Sequence, residues 1–555
     1  MYPIKELKIR FGAVPTAPSL TLAEPGITVF IGPNNSGKSQ ALREIQHWAH
    51  GAQGGVIIES IITNDLSQNA QKIVENLIAE AGLSHDIDSD FNFNIQRANT
   101  TYGLSKNSIL GILKSNGSQT HRPLMMPSIL LDGTTRLTLT HSRALGSLLP
   151  PTSTAARLIV NDKARRKLQK IFFEALNKYL IIDGSTNPGQ ASFKLSIEKP
   201  SPAVERSFTD EAIEYFKKAH PIESMSDGIK AFGGILIELF AGDPTILIID
   251  EPEAFLHPSL AFSLGREICR PNDESIQKNV FVATHSAAFL MGCIQSGSHL
   301  NIVRLTHADG VSTARMLSAA DLSVLMRNPL MRSTSAIEAL FYDYVIVTEG
   351  DVDRAFYDEI NQRLTSENDP RGIINCLFLR AQNKQTVADI VKPLRALGIP
   401  AVGIVDVDIY AEGGQVWSKF VSSAGMDEAT AHGSSALRGK VNEAFKATGV
   451  AKPKEKGGVG ILDAQNRQGA DSLFDLLAEY GMFVVRHGEV EDWLPIEPRS
   501  SVHGPEWLIK TFEMMGENSN DALYMKPSIG NVWDFLGEIS TWLKNPKRKG
   551  IPIPL

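Results

Sequence analysis

The sequence predicts an α/β protein made of consecutive domains, each built on a parallel β-sheet. Two observations support the first domain: a β-branched strand at 26–31 runs into a glycine-rich turn, and a continuous apolar run at 245–249 ends in two acids. A third supports the second domain, where apolar strands and helices alternate after residue 344. This pattern is typical of parallel sheets covered by helices. A chain of 555 residues is too long for one core, so about two to four domains are expected.

Composition and charge define the broad class. The formal net charge is −7 and 21% of the residues are charged, which is ordinary for a globular protein and unlike a globally basic nucleic-acid coat, although a local basic groove remains compatible with it. No apolar run of about 18 residues occurs, and the first residues lack the layout of a signal peptide. The three cysteines are scattered, so neither a disulfide framework nor a metal knuckle is expected. We therefore expect a cytoplasmic protein without a membrane segment.

The glycine-rich turn at residues 32–39 reads GPNNSGKS and matches G-x-x-x-x-G-K-[ST]. A helix is expected directly after it, so that backbone N–H groups would surround an anion. Lys38 would reach the β- and γ-phosphates of ATP, and Ser39 would contact Mg²⁺. A chance glycine turn is the alternative, which the flanking strand and helix disfavour. The predicted nucleotide-binding residues of this turn are Gly32, Asn34, Asn35, Ser36, Gly37, Lys38 and Ser39.

The apolar run at 245–249 is followed by Asp250 and Glu251. Asp250 would bind the nucleotide's Mg²⁺ through water, and Glu251 would polarise the attacking water. A strand ending in two acids is weak evidence alone. Behind a phosphate-binding loop it predicts an ATPase.

Three further segments resemble ABC-type ATPases, in particular the SMC and OLD group. Residues 224–230, SMSDGIK, open a helix and resemble a degenerate ABC signature with Ser226 and Gly228 as its serine and glycine. Residues 251–258 resemble the run E-P-E-x-x-L-H-P of that group. A strand then leads to His285, and the resemblance makes this residue a γ-phosphate sensor where a lone histidine is usually structural. No residue stands out as the Q-loop glutamine.

In that class the signature of one subunit covers the nucleotide held by another. The resemblance therefore implies a homodimer or higher oligomer formed through this domain.

The ATPase domain is expected over residues 1–335, with a helical insertion at about 154–222. In the insertion, basic and apolar side chains alternate along a helix. A solvated helix face is the simplest interpretation, and an arm that pairs subunits or touches a nucleic-acid backbone is the alternative. The basic side chains are Lys163, Arg165, Arg166, Lys167 and Lys170.

The second domain is expected over residues 336–555, ending in helical elements. One of its strands ends at Glu349, with Asp353 in the helix that follows, and another ends at Asp406, with Asp408 just beyond. Ligands bind beyond the carboxyl ends of parallel strands, where these acids would meet. Carboxylates brought together need protons or a hard cation, so Mg²⁺ or Mn²⁺ is expected. A regulatory fold whose acids are solvated is the alternative.

This arrangement, E-G-x-x-D followed by D-x-D, resembles the Toprim domain of topoisomerases, primases and OLD-family nucleases. The resemblance implies that Glu491, or Glu489 in its place, completes a second metal site. Two ions would stabilise the attacking and leaving oxygens of phosphodiester hydrolysis. An acidic cap on the following helix is an equally simple interpretation of either glutamate.

A basic residue is expected to steady the phosphate in such a site. Lys384 is preferred, and Lys510 and Lys526 are the alternatives. Tyr410 is discounted as a nucleophile, because topoisomerases carry that tyrosine in a separate domain.

An ABC ATPase followed by a Toprim domain resembles the OLD nucleases and the Gabija ATPase–nuclease subunit. Many OLD proteins have glutamate where this chain has Asp353. The E-G-x-x-D form of this chain, together with residues 488–493, also resembles the Toprim partner of PARIS-type phage defence. The resemblance implies an ATP-regulated, metal-dependent nuclease that acts on DNA or RNA in anti-phage defence, with a second defence-system protein as a further partner.

Two other functions stay open at this stage. The first is a PARIS-like, ATP-driven sensor scaffold whose Toprim part cleaves RNA or only docks a partner. The second is an SMC-like DNA repair clamp, which the absence of a long heptad segment disfavours.

Overall fold

A computed structural model describes residues 3–551 of the chain with several gaps. These gaps are 65–69, 82–89, 98–99, 115–125, 150, 186–188, 208, 271–277, 297–299, 309, 319–321, 324–326, 328, 330, 332–335, 495–502 and 518–522. The chain divides into two compact units, Met1–Ser323 and Val324–Leu555. Each unit is described by itself.

The first unit mixes strands and helices in sequence order. Its strands are β1 (Ile4–Ile9), β2 (Leu20–Ala23), β3 (Ile27–Ile31), β4 (Ile58–Thr63), β5 (Asn92–Arg97), β6 (Thr100–Ser105), β7 (Ser128–Leu131), β8 (Arg143–Ala144), β9 (Tyr179–Asp183), β10 (Gln190–Ser196), β11 (His220–Pro221), β12 (Ile246–Asp250), β13 (Asn279–Ala283), β14 (Leu300–Ala308) and β15 (Val311–Leu317). Its helices are α1 (Lys38–Ala49), α2 (Ala70–Glu80), α3 (Lys106–Lys114), α4 (Thr135–Thr138), α5 (Thr154–Val160), α6 (Asp162–Leu176), α7 (Asp210–Lys218), α8 (Asp227–Ala241), α9 (Pro258–Cys269) and α10 (Ala287–Gln295).

The main sheet of this unit has the strand order β15-β14-β3-β13-β12-β7. Its strands are parallel except β15, which pairs antiparallel with β14. β3, β12 and β13 are almost wholly buried, as continuous apolar runs covered on both faces should be. Because β3, β13 and β12 are neighbours, the segments that leave their carboxyl ends lie side by side. The predicted α/β fold of an ATPase is confirmed here.

The segment predicted as a helical insertion, 154–222, is helical only in part. The helices α5, α6 and α7 are present, but β9 and β10 form an antiparallel pair between them. Buried β-branched and aromatic residues favour these strands, and an ion pair of 2.7 Å joins Lys194 on β10 to Asp183 on β9.

The basic helix α6 is not simply a solvated face. Arg165 is buried, donates to the carbonyl oxygens of Leu158 and Ile159 at 2.9 Å, and pairs with Glu205 at 3.2 Å. This arginine therefore joins α6 to its surroundings within the insertion.

The second unit is built on a sheet of order β17-β16-β18-β19, with every pairing parallel. Its strands are β16 (Tyr344–Thr348), β17 (Cys376–Arg380), β18 (Ala401–Asp406) and β19 (Met482–Val485). Its helices are α11 (Asp351–Ser366), α12 (Lys384–Ala396), α13 (Gly414–Ser423), α14 (Glu428–Ala447), α15 (Ala464–Glu479), α16 (Gly504–Met515) and α17 (Asn531–Lys544). The alternation predicted after residue 344 is confirmed.

An aromatic core holds the second sheet to its C-terminal helices. Phe356 and Tyr357 of α11 are buried against Trp507 of α16 and Phe535 of α17. Burial of each such ring contributes roughly 1.5–3 kcal/mol. None of the helices in the described part of the chain combines the length and apolarity that a membrane crossing requires.

Candidate active sites

The phosphate-binding turn connects β3 to α1. Gly37 has φ +95°, and a Cβ there would lie 2.5 Å from the Ile57 side chain, so the turn needs glycine at this position. Lys38 Nζ points back into the turn and donates to the carbonyl oxygens of Gly32 at 2.9 Å and Pro33 at 2.6 Å. Burial lowers the pKa of Lys38 to about 8. The turn thus holds a partly desolvated ammonium group. Phosphate oxygens of a bound nucleotide would replace the carbonyl oxygens that it now contacts.

The remaining residues predicted in this turn differ in exposure. Ser36 is buried and its hydroxyl lies 3.3 Å from Lys38 Nζ, whereas Asn34 and Asn35 are exposed.

The acids after β12 lie beside this turn. Ser39 Oγ donates to Asp250 Oδ1 at 2.9 Å, the pair predicted to hold Mg²⁺. Burial raises the pKa of Asp250, because a charged carboxylate is poorly solvated at this position. The Glu251 side chain is 53% exposed and its backbone has φ +51°. A left-handed backbone is uncommon for glutamate and marks this position as locally strained.

His285 follows β13 and faces Glu251, with 3.9 Å between Nε2 and Oε1. Burial lowers the pKa of His285 to about 4, so the imidazole is neutral near pH 7. This contact is consequently not an ion pair. A neutral imidazole can donate one hydrogen bond to an incoming phosphate oxygen.

Two residues that sequence reasoning missed support these loops. Glu253 accepts from Thr284 Oγ1 at 2.8 Å and from the backbone N–H of His285 at 2.7 Å. The buried guanidinium of Arg136 donates to the backbone oxygens of Glu251 at 2.6 Å and Asp250 at 3.1 Å. Glu253 belongs to the E-P-E run of the sequence, so a motif marks this residue. No motif marks Arg136.

The signature residues open α8. Ser226 is its exposed N-cap, and Gly228 packs against the loop after β12, where a Cβ would lie 2.6 Å from the Phe255 carbonyl oxygen. Glycine is thus required at 228 for close packing.

In the second unit, Glu349, Asp406 and Asp408 meet beyond the carboxyl ends of β16 and β18. One oxygen from each lies within 4.8 Å of the others. Glu349 Oε1 accepts from the backbone N–H of Asp406 at 2.9 Å, which fixes the two strand ends together. Burial, and then the neighbouring carboxylates, raise the pKa of Glu349 to about 7 and that of Asp406 well above its ordinary value.

The other predicted acids have backbone partners. Asp353 accepts from the N–H of Gly350 at 2.9 Å and caps α11. Glu491 is buried and accepts from the N–H of Gly504 at 3.0 Å, at the start of α16. In addition to burial, the charge of Glu491 raises the pKa of Asp353, and that of Asp353 raises the pKa of Glu349 and of Asp406.

Two lysines contact the cluster, and one was not predicted. Lys384 Nζ lies 2.7 Å from Asp408 Oδ2 and 3.6 Å from Glu412 Oε1. Lys454 Nζ lies 3.3 Å from both Asp406 Oδ2 and Glu489 Oε2. It stands in a stretch, 410–460, where no motif was evident.

The alternatives lie elsewhere in the unit. The half-buried Lys510 pairs with Glu506 at 2.8 Å, and the exposed Lys526 pairs with Glu367 at 3.7 Å. The Tyr410 ring stacks on Phe445 with 4.1 Å between centroids, which fits its exclusion as a nucleophile.

Comparison with known families agrees with both units. The family described as "AAA domain, putative AbiEii toxin, Type IV TA system" matches residues 157–291, and the family described as "Overcoming lysogenization defect protein-like, TOPRIM domain" matches residues 340–408. The chain therefore carries an ATPase domain followed by an OLD-like Toprim domain. The ATPase and nuclease domains predicted from the motifs are thereby confirmed, and they imply nucleotide and divalent-metal use.

Solved structures similar to this chain include SMC heads. An Smc head bound to the C-winged helix domain of ScpA has 13% identity and a TM-score of 0.33 over 58% of this chain and 100% of its own. The SMC head domain from Thermotoga maritima has 13% identity and a TM-score of 0.29 over 57% and 100%. Scores this low add nothing to the family matches. None of the curated proteins matches the chain.

Two glutamates of the ATPase unit are expected to separate stability from catalysis. Glu253→Gln replaces an acceptor of two hydrogen bonds by a group that can accept with one atom only, so unfolding should become easier by about 1–3 kcal/mol. ATP hydrolysis should also slow, because His285 loses its anchor. Glu251→Gln, at an exposed side chain, should slow hydrolysis with an unchanged denaturation midpoint. Chemical denaturation and phosphate release check both, and equal midpoints for the two variants would contradict the anchoring role.

Proposed function

We propose that this protein is an ATP-regulated, divalent-metal-dependent nuclease that hydrolyses phosphodiester bonds, as an anti-phage effector of the OLD and Gabija type. The observation that carries the proposal is the meeting of Glu349, Asp406 and Asp408 at one sheet edge, flanked by two lysines. Such a set combines ligands for a hard cation with positive charge for a phosphate.

The residues present fit Mg²⁺ or Mn²⁺. All three donors are carboxylates, which these ions prefer. Among the described residues, Asp408 Oδ1 is buried and has no hydrogen-bond partner, and a cation would satisfy it. Glu349, Asp406 and Asp408 would hold the ion, which would polarise the phosphate and lower the pKa of a bound water. Among the residues that the structure describes, no second group of three potential metal ligands is found.

Hydrolysis then needs only water as co-reactant. A water oxygen bonds to phosphorus while one bridging P–O bond breaks, the water gives up a proton, and the departing oxygen takes one. Lys384 and Lys454 are placed to offset charge on the non-bridging oxygens. Both DNA and RNA carry the required bond.

The first unit supplies the nucleotide control. Lys38, Ser39, Asp250, Glu251 and His285 would bind and hydrolyse ATP with Mg²⁺. Ser226 and Gly228 of a second copy would cover the γ-phosphate, so we propose a homodimer or higher oligomer. A cytoplasmic location and a second defence protein as a partner belong to the same proposal.

Metal removal tests this function directly. Cleavage of plasmid, single-stranded DNA and tRNA should stop in EDTA and return when Mg²⁺ or Mn²⁺ is added in excess. Glu349→Gln should lower the rate by about 10³-fold with either ion, since it removes a ligand worth several kcal/mol in the transition state. Glu367→Gln, a control whose partner is Lys526, should cut normally. Cleavage in EDTA would refute metal dependence, and intact protein that cuts none of these substrates would favour the sensor scaffold.

A further inference from the structure

The acids expected to bind a second ion already have partners within the chain. Glu489 Oε2 and Asp406 Oδ2 are each 3.3 Å from Lys454 Nζ. Glu491 and Asp353 accept backbone N–H groups that begin helices α16 and α11. The other oxygen of Glu489, Oε1, is buried, lies 3.9 Å from His503 Nδ1 and has no hydrogen bond among the described residues. A second ion bound by Asp406 Oδ2 and Glu489 Oε2 would have to displace the ammonium.

The position of Lys454 is set by its backbone. It lies in a 3-10 turn, Pro453–Lys456, bounded by left-handed residues Lys452 (φ +56°) and Gly457 (φ +98°). The Lys454 carbonyl packs on Gly488, where a Cβ would lie 2.0 Å from that oxygen. Gly488 immediately precedes Glu489, so the turn and the glutamate are built against each other.

A neighbouring hydrogen bond fixes the same junction. The Val459 N–H donates to the Arg486 carbonyl oxygen at 2.9 Å, and a Cβ at Gly458 would lie 2.1 Å from that oxygen. Lys454 and the chain that follows it are thus docked on the strand exit that carries Glu489. Lys454 is only 35% exposed in its side chain, unlike a lysine that extends into solvent.

We propose that the Lys454 ammonium occupies the place of a second metal ion, so that this Toprim unit works with one divalent ion and a built-in cation. The inference rests on the proposed metal-dependent nuclease and deepens it. The ion would be held by Glu349, Asp406 and Asp408, and the ammonium would link Asp406 to Glu489. Because the Lys454 ammonium is covalently part of the protein, a chelator cannot remove it. The site would then hold a single exchangeable ion.

The test counts Mn²⁺ ions bound by the full chain without nucleotide. Isothermal titration and the EPR signal of free Mn²⁺ give the stoichiometry, and Asp406→Ala identifies the ions that depend on the Toprim cluster. Wild type should bind one such ion. Lys454→Ala should bind two, because Asp406 and Glu489 are then free to share an ion. Lys456→Ala, an exposed lysine in the same turn, is the matched control and should bind one.

The EPR line shape provides a second readout. Two Mn²⁺ ions about 4 Å apart give a spin-coupled spectrum, whereas a single bound ion does not. The coupled signal should be absent from wild type and present in Lys454→Ala. If the alanine variant fails to fold by circular dichroism, Lys454→Gln, which keeps most of the chain length without the charge, takes its place.

Each outcome decides between the proposals. Two Asp406-dependent ions in wild type, or one in the folded Lys454 variants, would overturn the built-in cation and leave the nuclease proposal standing. No Asp406-dependent ion in any variant would overturn the metal-dependent nuclease itself.

Discussion

Asp406→Asn is expected to lower nucleic-acid cleavage by about 10³-fold or more while ATP hydrolysis keeps its wild-type rate. Asp406 lies at the end of β18, between Glu349 and Lys454, and its carboxylate is shared by the proposed ion and the ammonium. Asparagine keeps the shape but loses the charge that binds a cation, and the loss of several kcal/mol corresponds to this factor. Cleavage and phosphate release from one preparation measure both activities.

Stability provides the control for this variant. In EDTA at pH 8 the asparagine variant should unfold at the same temperature as wild type or higher, because burial and neighbouring carboxylates disfavour the Asp406 charge when no ion is present. Loss of activity with retained stability is the mark of a functional acid. Asp351→Asn is the matched control. Asp351 is an exposed acid at the start of α11 and pairs with Arg354, so its replacement should change neither cleavage nor thermal stability. Cleavage retained by Asp406→Asn would remove the Toprim site from the reaction.

The convergence of these acids was predictable because it depends on sheet geometry. Glu349 and Asp406 each follow a continuous apolar strand, and parallel neighbours place such ends at one edge. The same reasoning placed Asp250 beside Ser39. Each prediction needed only a strand, its polarity and the residue after it.

Lys454 and Arg136 were not predictable in this way. Lys454 reaches Glu489 from an irregular turn that no periodicity marks, and Arg136 reaches the backbone of Glu251 from a single helical turn. Their partners are distant in the sequence. The partners of Arg136 are backbone oxygens, which every residue has, so the residue type of the partner does not reveal the contact. Residues whose roles depend on tertiary contacts leave no local pattern in the sequence.

The insertion shows the same limit for secondary structure. The basic periodicity of α6 correctly predicted a helix, but extending that prediction to residue 222 overlooked β9 and β10. The run at 179–183 is short and apolar, which suits a buried strand and a helix segment alike. Pairing with β10 decides the matter, and pairing is a long-range property.

Lys38→Ala is expected to slow ATP hydrolysis by about 10²–10³-fold, the usual effect of losing one preorganised charge from a transition state. The ammonium is held by the carbonyl oxygens of Gly32 and Pro33 and by Ser36, all within the turn. These bonds join residues of the turn to one another, so the variant should stay folded. Lys8→Ala, which removes a surface pair with Glu59, is the matched control and should hydrolyse ATP normally.

The same variant tests whether the nucleotide controls cleavage. Lys38 belongs to the first unit and the metal cluster to the second, so Lys38→Ala should leave the chemistry of cleavage intact and abolish its response to ATP. Cleavage rates measured across ATP concentrations should therefore be flat in Lys38→Ala and vary in wild type and Lys8→Ala. If Lys38→Ala still responds to ATP, control does not pass through this phosphate-binding turn. If wild type shows no response either, the two units act independently, and the nuclease needs no nucleotide to work.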